Sequence, residues 1–553
     1  MIADPFVVNG RDLTIADVTR VARHAWNVQL SDEPEVVAAL AKSCACIRDA
    51  VDSGARIYGV TTGYGAMADV QITRDDAEEL QLNLVWHLKA GAGCRLSRDE
   101  VRAAMLIRAN SHLRGASGIG LELVRRLEIF LNADVTPHVR EFGSIGASGD
   151  LVPLAAITGA LIGLDRSFRV DFSGEETDAL AALDRLGLPP LRLAPKEGLA
   201  MVNGTAAMSG VAALCISDAW SQLMLTFGVH ALAIQALAAG LQPFDPFIHR
   251  HKPHPGQQWS ARTIRALVAG SAMTRAEHGP TNACPSGPIQ DRYSVRCLPQ
   301  FIGPIAERFA TIAGHVETEM NSTTDNPLID GEAGVIHHGG NFFGQYVGMA
   351  MDELRHCIGL LAKHLDTQIA LLVTPEFSGG LTASLVGNTA RPVNMGLKGL
   401  QITANSIMPI LGFLGGPLVD RFPTHAEQFN QNINSLGFGA ARLARQSITT
   451  FQQYLAIVLL VGAQAVELRT AHLSGHYDAR SCLSPATVPL YEAIREVLER
   501  PPEPRRSLVW DNRGLALDEL VAALVHDLEQ GGRIAATLEP FAPTDPTDPT
   551  CLA

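Results

Sequence analysis

The segment Gly143 to Ala155, GSIGASGDLVPLA, sets Ala147-Ser148-Gly149-Asp150 directly before an apolar run. From residue types alone this is a turn in which Ser148 or Asp150 caps the next helix by accepting from its free N–H groups. The same tripeptide recurs at Ala116-Ser117-Gly118, so composition does not tell the two apart. A nucleophilic serine of the hydrolase-elbow type needs G-x-S-x-G after a strand, whereas Gly149 follows the serine directly and no strand pattern precedes it. His249, His251 and His254 in FIHRHKPHPGQ invite a metal reading. They lack the helical i, i+4 spacing of metalloprotease ligands and prolines break the segment, so no metal is expected there or at His337-His338.

Helices must position these residues. In PQFIGPIAERFATIAGHVETEM, the residues Ile302, Ile305, Phe309, Ile312, Val316 and Met320 recur at steps of three or four. The stretches 205–240, 343–375, 383–415 and 437–470 read as further long helices. Glycine-rich turns cluster at 59–65, 115–120, 143–149 and 339–344, which makes a mainly α enzyme with special loops a better fit than an α/β sheet.

Composition sets the outer limits. The 553 residues carry 44 basic and 57 acidic side chains, 44 − 57 = −13, without the cationic clusters that phosphate neutralisation needs, so nucleic acid is not an expected partner. Nine scattered cysteines argue for reduced thiols, and the N-terminus has no signal-peptide pattern. The most strongly apolar stretch, 454–463, is about half of what a membrane span needs. These features predict a cytoplasmic protein with no membrane partner. The tail 543–550, PTDPTDPT, is expected to be disordered or weakly docked.

Further motifs follow in order: IYGVTTGYG at 57–65, KEGLAMVNGT at 196–205, QDRYSVRCLPQ at 290–300, TTDNPLI at 323–329, HGGNFFGQ at 338–345 and HAEQFNQNINS at 425–435. With Ala147-Ser148-Gly149 they closely resemble the aromatic amino acid ammonia-lyase and aminomutase family, which includes histidine ammonia-lyase. The resemblance spans about residues 10 to 500 and is strongest to the short prokaryotic phenylalanine lyases. It implies a long-helix bundle of the fumarase/aspartase-like type with a loop-rich N-terminal region, assembled as a homotetramer whose active sites draw on more than one chain. On that basis 1–200 is the domain bearing the tripeptide, 201–500 the central long-helix bundle and 501–553 a C-terminal segment. The segment 276–290 looks shorter than in close relatives.

The resemblance also implies a cofactor. Ala147, Ser148 and Gly149 would cyclise into 4-methylidene-imidazol-5-one (MIO), the Gly149 nitrogen attacking the Ala147 carbonyl with loss of two waters. Such a built-in electrophile replaces pyridoxal phosphate and any metal. Tyr58 matches the family's catalytic base on a mobile loop and Tyr293 a second tyrosine beside the group. Arg296 matches the carboxylate partner, since a guanidinium binds both oxygens in a planar fork. Asn326 helps to hold the carboxylate, while Asn203 and Gln290 lie near the prosthetic group. Phe342 lines the site, Glu427 lies near the amine and Gln431 near the prosthetic group. Lys398 and Leu199 are assigned to the pocket. Tyr64, where many relatives have Phe, is taken as structural.

The substrate is an aromatic L-amino acid. Phenylalanine lyases carry Phe-Leu, histidine lyases Ser-His and tyrosine lyases His-Leu where this chain has His87-Leu88. An imidazole can pair with a phenol, whereas a phenyl ring would leave that hydroxyl unpaired at a cost of about 1–3 kcal/mol. L-Tyrosine, giving trans-p-coumarate and ammonia, is therefore the expected substrate, with L-phenylalanine to trans-cinnamate as a second. Two other readings stand beside it: a 2,3-aminomutase that re-adds the amine at Cβ, and a non-catalytic helical scaffold.

Overall fold

The computed structural model describes residues 4–275, 289–422, 424–544 and 552. Most of the segment 276–290, and residues 545–550 of the tail, lie outside them.

Helices dominate, as the periodicity predicts. In the helix Leu298–Met320 the six residues read as one apolar stripe are each 2% exposed or less. At roughly 1.5–3 kcal/mol for each large side chain removed from water, that stripe is what fixes the helix against its neighbours. Ala206–Ala236, Gln345–Leu372 and Gly437–Ser474 likewise match the expected long helices. The stretch 383–415 differs: only Lys398–Leu414 is α-helical, after a short turn at Ala383–Leu385. Ser384, Leu385 and Gly396 adopt positive φ there, and Pro392 interrupts the intervening chain, so a helix cannot run through. Ala206–Ala236 and Gly437–Ser474 are long and apolar enough to cross a membrane, which the sequence reading missed. Their most apolar windows are 83% and 94% buried inside the protein, the condition of core helices.

The chain forms two compact units: Met1–Ser217, Ala313–Asp352 and Pro417–Arg445 in one, Asp218–Ile312, Glu353–Gly416 and Gln446–Ala553 in the other. This departs from the expected division at 200 and 500. The reason is visible in the first unit, where later segments return to pack on the N-terminal region. Ile329 joins Ile47, Val51, Ile57 and Val60 in one apolar cluster, and Leu436 N–H donates to the Ile145 carbonyl at 3.0 Å.

The first unit holds all the named strands. Phe6–Val8 pairs in parallel with Val28–Leu30, and three antiparallel groups follow: Ala92–Arg95 with Arg140–Phe142, Val135–Pro137 with Arg169–Phe172 and Glu175–Asp178, and Leu328–Asp330 with Val335–His337. The strand Arg140–Phe142 corrects the expectation that none precedes Gly143. In the second unit, Trp220, Phe227, Trp259 and Phe309 make edge-to-face contacts, and buried Glu467 pairs with Arg495 at 3.1 Å and accepts from Tyr491 at 2.6 Å.

A buried ion pair ties the N-terminal region of the first unit to its returning segment. Lys196, with φ 82 at the start of the helix Glu197–Val202, reaches Asp325 at 2.7 Å, and both side chains are fully buried. Lys196→Met would leave the Asp325 carboxylate without its hydrogen-bonded ammonium, only Arg108 remaining as countercharge, and a loss of about 3–5 kcal/mol is expected in denaturant unfolding. A loss below about 1 kcal/mol would show that the carboxylate finds another partner or protonates freely.

Candidate functional site

The loop at 143–150 is held by hydrogen bonds to backbone on both sides. Asp150 N–H donates to the Gly204 carbonyl at 2.7 Å, and Asp150 Oδ2 accepts from Met208 N–H at 2.7 Å. Ser144 Oγ bonds the Gly149 carbonyl at 3.1 Å and Asp150 Oδ1 at 3.0 Å. Gly149 has φ +70, and a Cβ built on it would stand 2.2 Å from the Gly204 carbonyl oxygen. Only glycine fits there, because both the backbone conformation and the space exclude a side chain. Burial pushes the Asp150 carboxyl up to about 7 against the hydrogen bonds it accepts.

Tyr58 stands on the loop that follows the helix Pro34–Asp52. The Ile57 carbonyl accepts from the N–H groups of Val60, Thr61 and Thr62, which folds the loop tightly. Gly59, at φ +67, lies against Leu199 and Tyr64, each 2.6 Å from a built Cβ. Gly65 N–H donates to the Tyr58 hydroxyl oxygen at 2.9 Å. Burial raises the pKa of Tyr58 above that of free tyrosine; the Gly65 bond opposes this and the negative charge of Glu427 adds to it. The Tyr64 ring meets Tyr58 edge-on at 6.3 Å.

A turn at 426–431 completes the site. Glu427, Gln428 and Phe429 have φ of 49, 48 and 67, a run of left-handed conformations that side chains ordinarily avoid. It delivers Gln431, whose Nε2 donates to Ser148 Oγ at 3.0 Å and to Glu427 Oε1 at 3.3 Å. Glu427 is raised by burial, and nearby His87, the last residue of the helix Ala77–His87, pulls it back down. On the opposite wall Asn203 Nδ2 donates to the Asn326 carbonyl at 2.9 Å, leaving buried Asn203 Oδ1 without a partner among the described residues. Arg108, fully buried behind it, donates to the carbonyls of Thr324 at 2.9 Å and Asn203 at 3.0 Å, and also to that of Ala200.

Ten of the residues named from sequence line one cavity of about 410 Å³: Tyr58, His87, Ala147, Ser148, Leu199, Asn203, Asn326, Phe342, Glu427 and Gln431. Gly149 follows Ser148 in the same loop but does not itself line the cavity. Leu88, by contrast, is 5% exposed and turned into the core, off the cavity wall. Lys398 begins its helix at an exposed position and does not line the cavity. Gln290 and Arg296 line a different cavity, of about 260 Å³, with Arg275 and Asp291, while Tyr293 is 72% exposed. Lys398, Gln290, Arg296 and Tyr293 belong to the second unit, whereas the tripeptide and the residues lining its cavity belong to the first. Sequence reading missed Leu84, Asn430 and Asn432 and set Tyr64 aside, yet all four line the first cavity. Leu84 had a usable signal: it lies one helical turn before His87 on the same face.

Two other clusters have plain structural explanations. Both ring nitrogens of His249 are engaged, Nε2 with the Pro243 carbonyl at 3.0 Å and Nδ1 with Gln257 at 2.9 Å. His138, Asp171 and Glu176 bring possible ligand atoms within 4.8 Å of one another. Arg95 Nη1 already stands between them, 3.2 Å from His138 Nε2 and 3.1 Å from Glu176.

Residues 13–496 match the family model described as aromatic amino acid lyase. The chain is 60% identical over 533 residues to a phenylalanine ammonia-lyase of Nostoc punctiforme, covering 96% of this chain and 94% of that protein. It is 48% identical to an aromatic ammonia-lyase of Loktanella atrilutea, covering 96% and 97%. Its fold is similar to the crystal structure of a tyrosine aminomutase from Streptomyces globisporus, with TM-score 0.86 at 30% identity over 98% of this chain and 100% of that one. The chain belongs to the aromatic amino acid lyase family and is a carbon–nitrogen lyase of the aromatic ammonia-lyase type.

Proposed function

We propose that the protein eliminates ammonia from aromatic L-amino acids, preferring L-tyrosine, which yields trans-p-coumarate, and accepting L-phenylalanine, which yields trans-cinnamate. The observation that carries the tyrosine preference is His87 on the cavity wall beside Glu427, where an imidazole can pair with a ring hydroxyl. Acceptance of phenylalanine is supported by the 60% identity to the Nostoc phenylalanine ammonia-lyase.

The loop at 146–150 suits an MIO group made from Ala147, Ser148 and Gly149. Gly149 sits in the one conformation and space that exclude a side chain, and Ser148 faces the cavity. When formed, MIO supplies an electrophile that an unmodified side chain cannot. The surrounding residues then have separable tasks. Gln431 orients the Ser148 position through its 3.0 Å hydrogen bond. Glu427 receives the substrate amine, and Asn203 and Asn326 offer polar atoms to the carboxylate end. Tyr58 takes the proton from Cβ and leaves it on the phenolic oxygen that Gly65 N–H contacts. Phe342 and Leu199 close the walls against water. Arg296 and Tyr293 contribute as carboxylate clamp and second tyrosine in a homotetramer whose sites are shared between chains. Free thiols at all seven described cysteines support a reducing, cytoplasmic setting.

Four measurements test this reading. Incubation with L-Tyr, L-Phe and L-His, with products separated by chromatography, is expected to give p-coumarate fastest; β-tyrosine as main product would make the protein an aminomutase. His87→Phe is expected to move the ratio of kcat/KM values toward phenylalanine by about tenfold or more, and an unchanged ratio defeats the assignment of His87.

The intact chain is expected to weigh two waters less than its sequence, with the deficit abolished in Ser148→Ala. A full sequence mass in active protein excludes MIO.

Tyr58 as base must lose its proton, and Glu427 raises its pKa. Glu427→Gln removes that negative charge, so the rising limb of the kcat/KM–pH profile is expected to shift to lower pH, whatever happens to the maximal rate. A limb that stays in place separates Glu427 from Tyr58.

A further inference from the structure

The segment 291–296 is fixed at alternate points. Asp291 accepts from Arg275 at 2.9 and 3.2 Å and from Gly240 N–H at 2.9 Å. The Arg292 guanidinium stacks on the Phe377 ring at 4.2 Å. Between and beyond these anchors, Tyr293 is 72% exposed. Arg296 has no acidic partner among the described residues, only the Tyr293 ring at 4.5 Å.

The third anchor is a backbone carbonyl. The short helix Tyr293–Arg296 ends at Cys297, and a new helix begins at Leu298 with Pro299 in its first turn. The break takes the Ser294 carbonyl out of the helical ladder. It accepts instead from two side chains of the helix Gln345–Leu372, His364 Nε2 at 2.8 Å and Gln368 Nε2 at 2.9 Å. They are four residues apart, one turn on the same helix face. Both are nearly inaccessible, at 5% and 2% exposure. The His364 ring lies against Phe301 at 4.7 Å and His230 at 4.5 Å, so it cannot swing away. Because a carbonyl only accepts, Nε2 of His364 carries the hydrogen. Burial lowers the His364 pKa to about 4, which keeps the ring neutral in that tautomer near neutral pH.

We infer that His364 and Gln368 are positioning residues whose joint donation to the Ser294 carbonyl sets the orientation of Tyr293 and Arg296 toward substrate. The inference rests on the reading above that those two residues act in the reaction. Donors so placed hold a short helix that its own hydrogen bonds cannot hold, and leave its reactive side chains free.

The test compares His364→Phe/Gln368→Met, which keeps the packing but removes both donors, with His364→Gln/Gln368→Met, which restores one. In the full-length enzyme the first is expected to lose about a hundredfold in kcat/KM, the scale of a misplacement near 1 Å. Both a rise in KM and a fall in kcat should contribute, with the two-water mass deficit intact. The second is expected to recover most of that loss. If the double variant does not accumulate, the single variants decide, each expected to lose roughly threefold to tenfold, since one donor remains. Variants equal to wild type in kcat/KM, or a loss that His364→Gln does not relieve, overturn the inference. Arg296→Gln is measured alongside: if it is as active as wild type, the reading of Arg296 falls instead.

Discussion

Everything at the candidate site depends on one close approach of backbone, that of Gly149 to Gly204. A Cβ on Gly149 would lie 2.2 Å from the Gly204 carbonyl oxygen, and one on Gly204 would lie 2.5 Å from the carbonyl oxygen of Thr324 and 2.2 Å from Arg108. Three stretches far apart in sequence therefore meet with no side chain of either glycine between them, and Arg108 bonds the carbonyls of Asn203 and Thr324 there. That contact sets Ser148, Asn203 and Asn326 on the wall of one cavity, with Asn203 bonded to the Asn326 carbonyl. Any larger residue at either glycine would push these walls apart before it affected a contact to substrate.

Behind this contact lies a buried set of charges that a hydrophobic core would ordinarily exclude. Arg108, Lys196, Asp150 and Asp325 are all fully buried. The cations are not idle: Arg108 spends its hydrogen bonds on three carbonyls near the cavity, and Lys196 holds Asp325, whose own Oδ1 accepts from Asn326 N–H at 2.7 Å. Asparagine at 326 is thereby fixed through its backbone while Gly339 N–H donates to its side-chain oxygen at 2.7 Å. Stability and site geometry are coupled here, since an unpaired charge in this layer would disturb the same backbone that carries the cavity wall.

Much of this was legible in the sequence, and the failures have physical causes. The helix Leu298–Met320 could be read because its buried residues follow a period near 3.6 without interruption. Most of the candidate site could be read because its members sit in short motifs with glycine, proline or paired polar residues. Leu88 misled because the neighbour of a lining residue at a helix end faces the other way, into the core. Gln290, Tyr293 and Arg296 are legible only through their motif and Lys398 only through the family resemblance, and neither says which unit a residue serves. The unit boundaries were illegible because they depend on where 313–352 and 417–445 return, and period and composition carry no information about return.

The two tyrosines on the Tyr58 loop show how environment divides roles that sequence leaves equal. Tyr64 is half-buried beside Gly59, and burial drives its hydroxyl far from ionisation. Tyr58 is also raised, but part of its shift comes from a removable cause, the charge on Glu427, and its oxygen keeps a backbone donor ready for the anion. On the proposed reading, a substrate ammonium paired with Glu427 cancels that charge when it binds. The phenol is held protonated in the empty cavity and gives up its own proton, as a base must before it acts, more readily once the amine is in place. Coupling through Glu427 thus makes the base responsive to the correct end of the substrate, something a tyrosine raised by burial alone could not achieve.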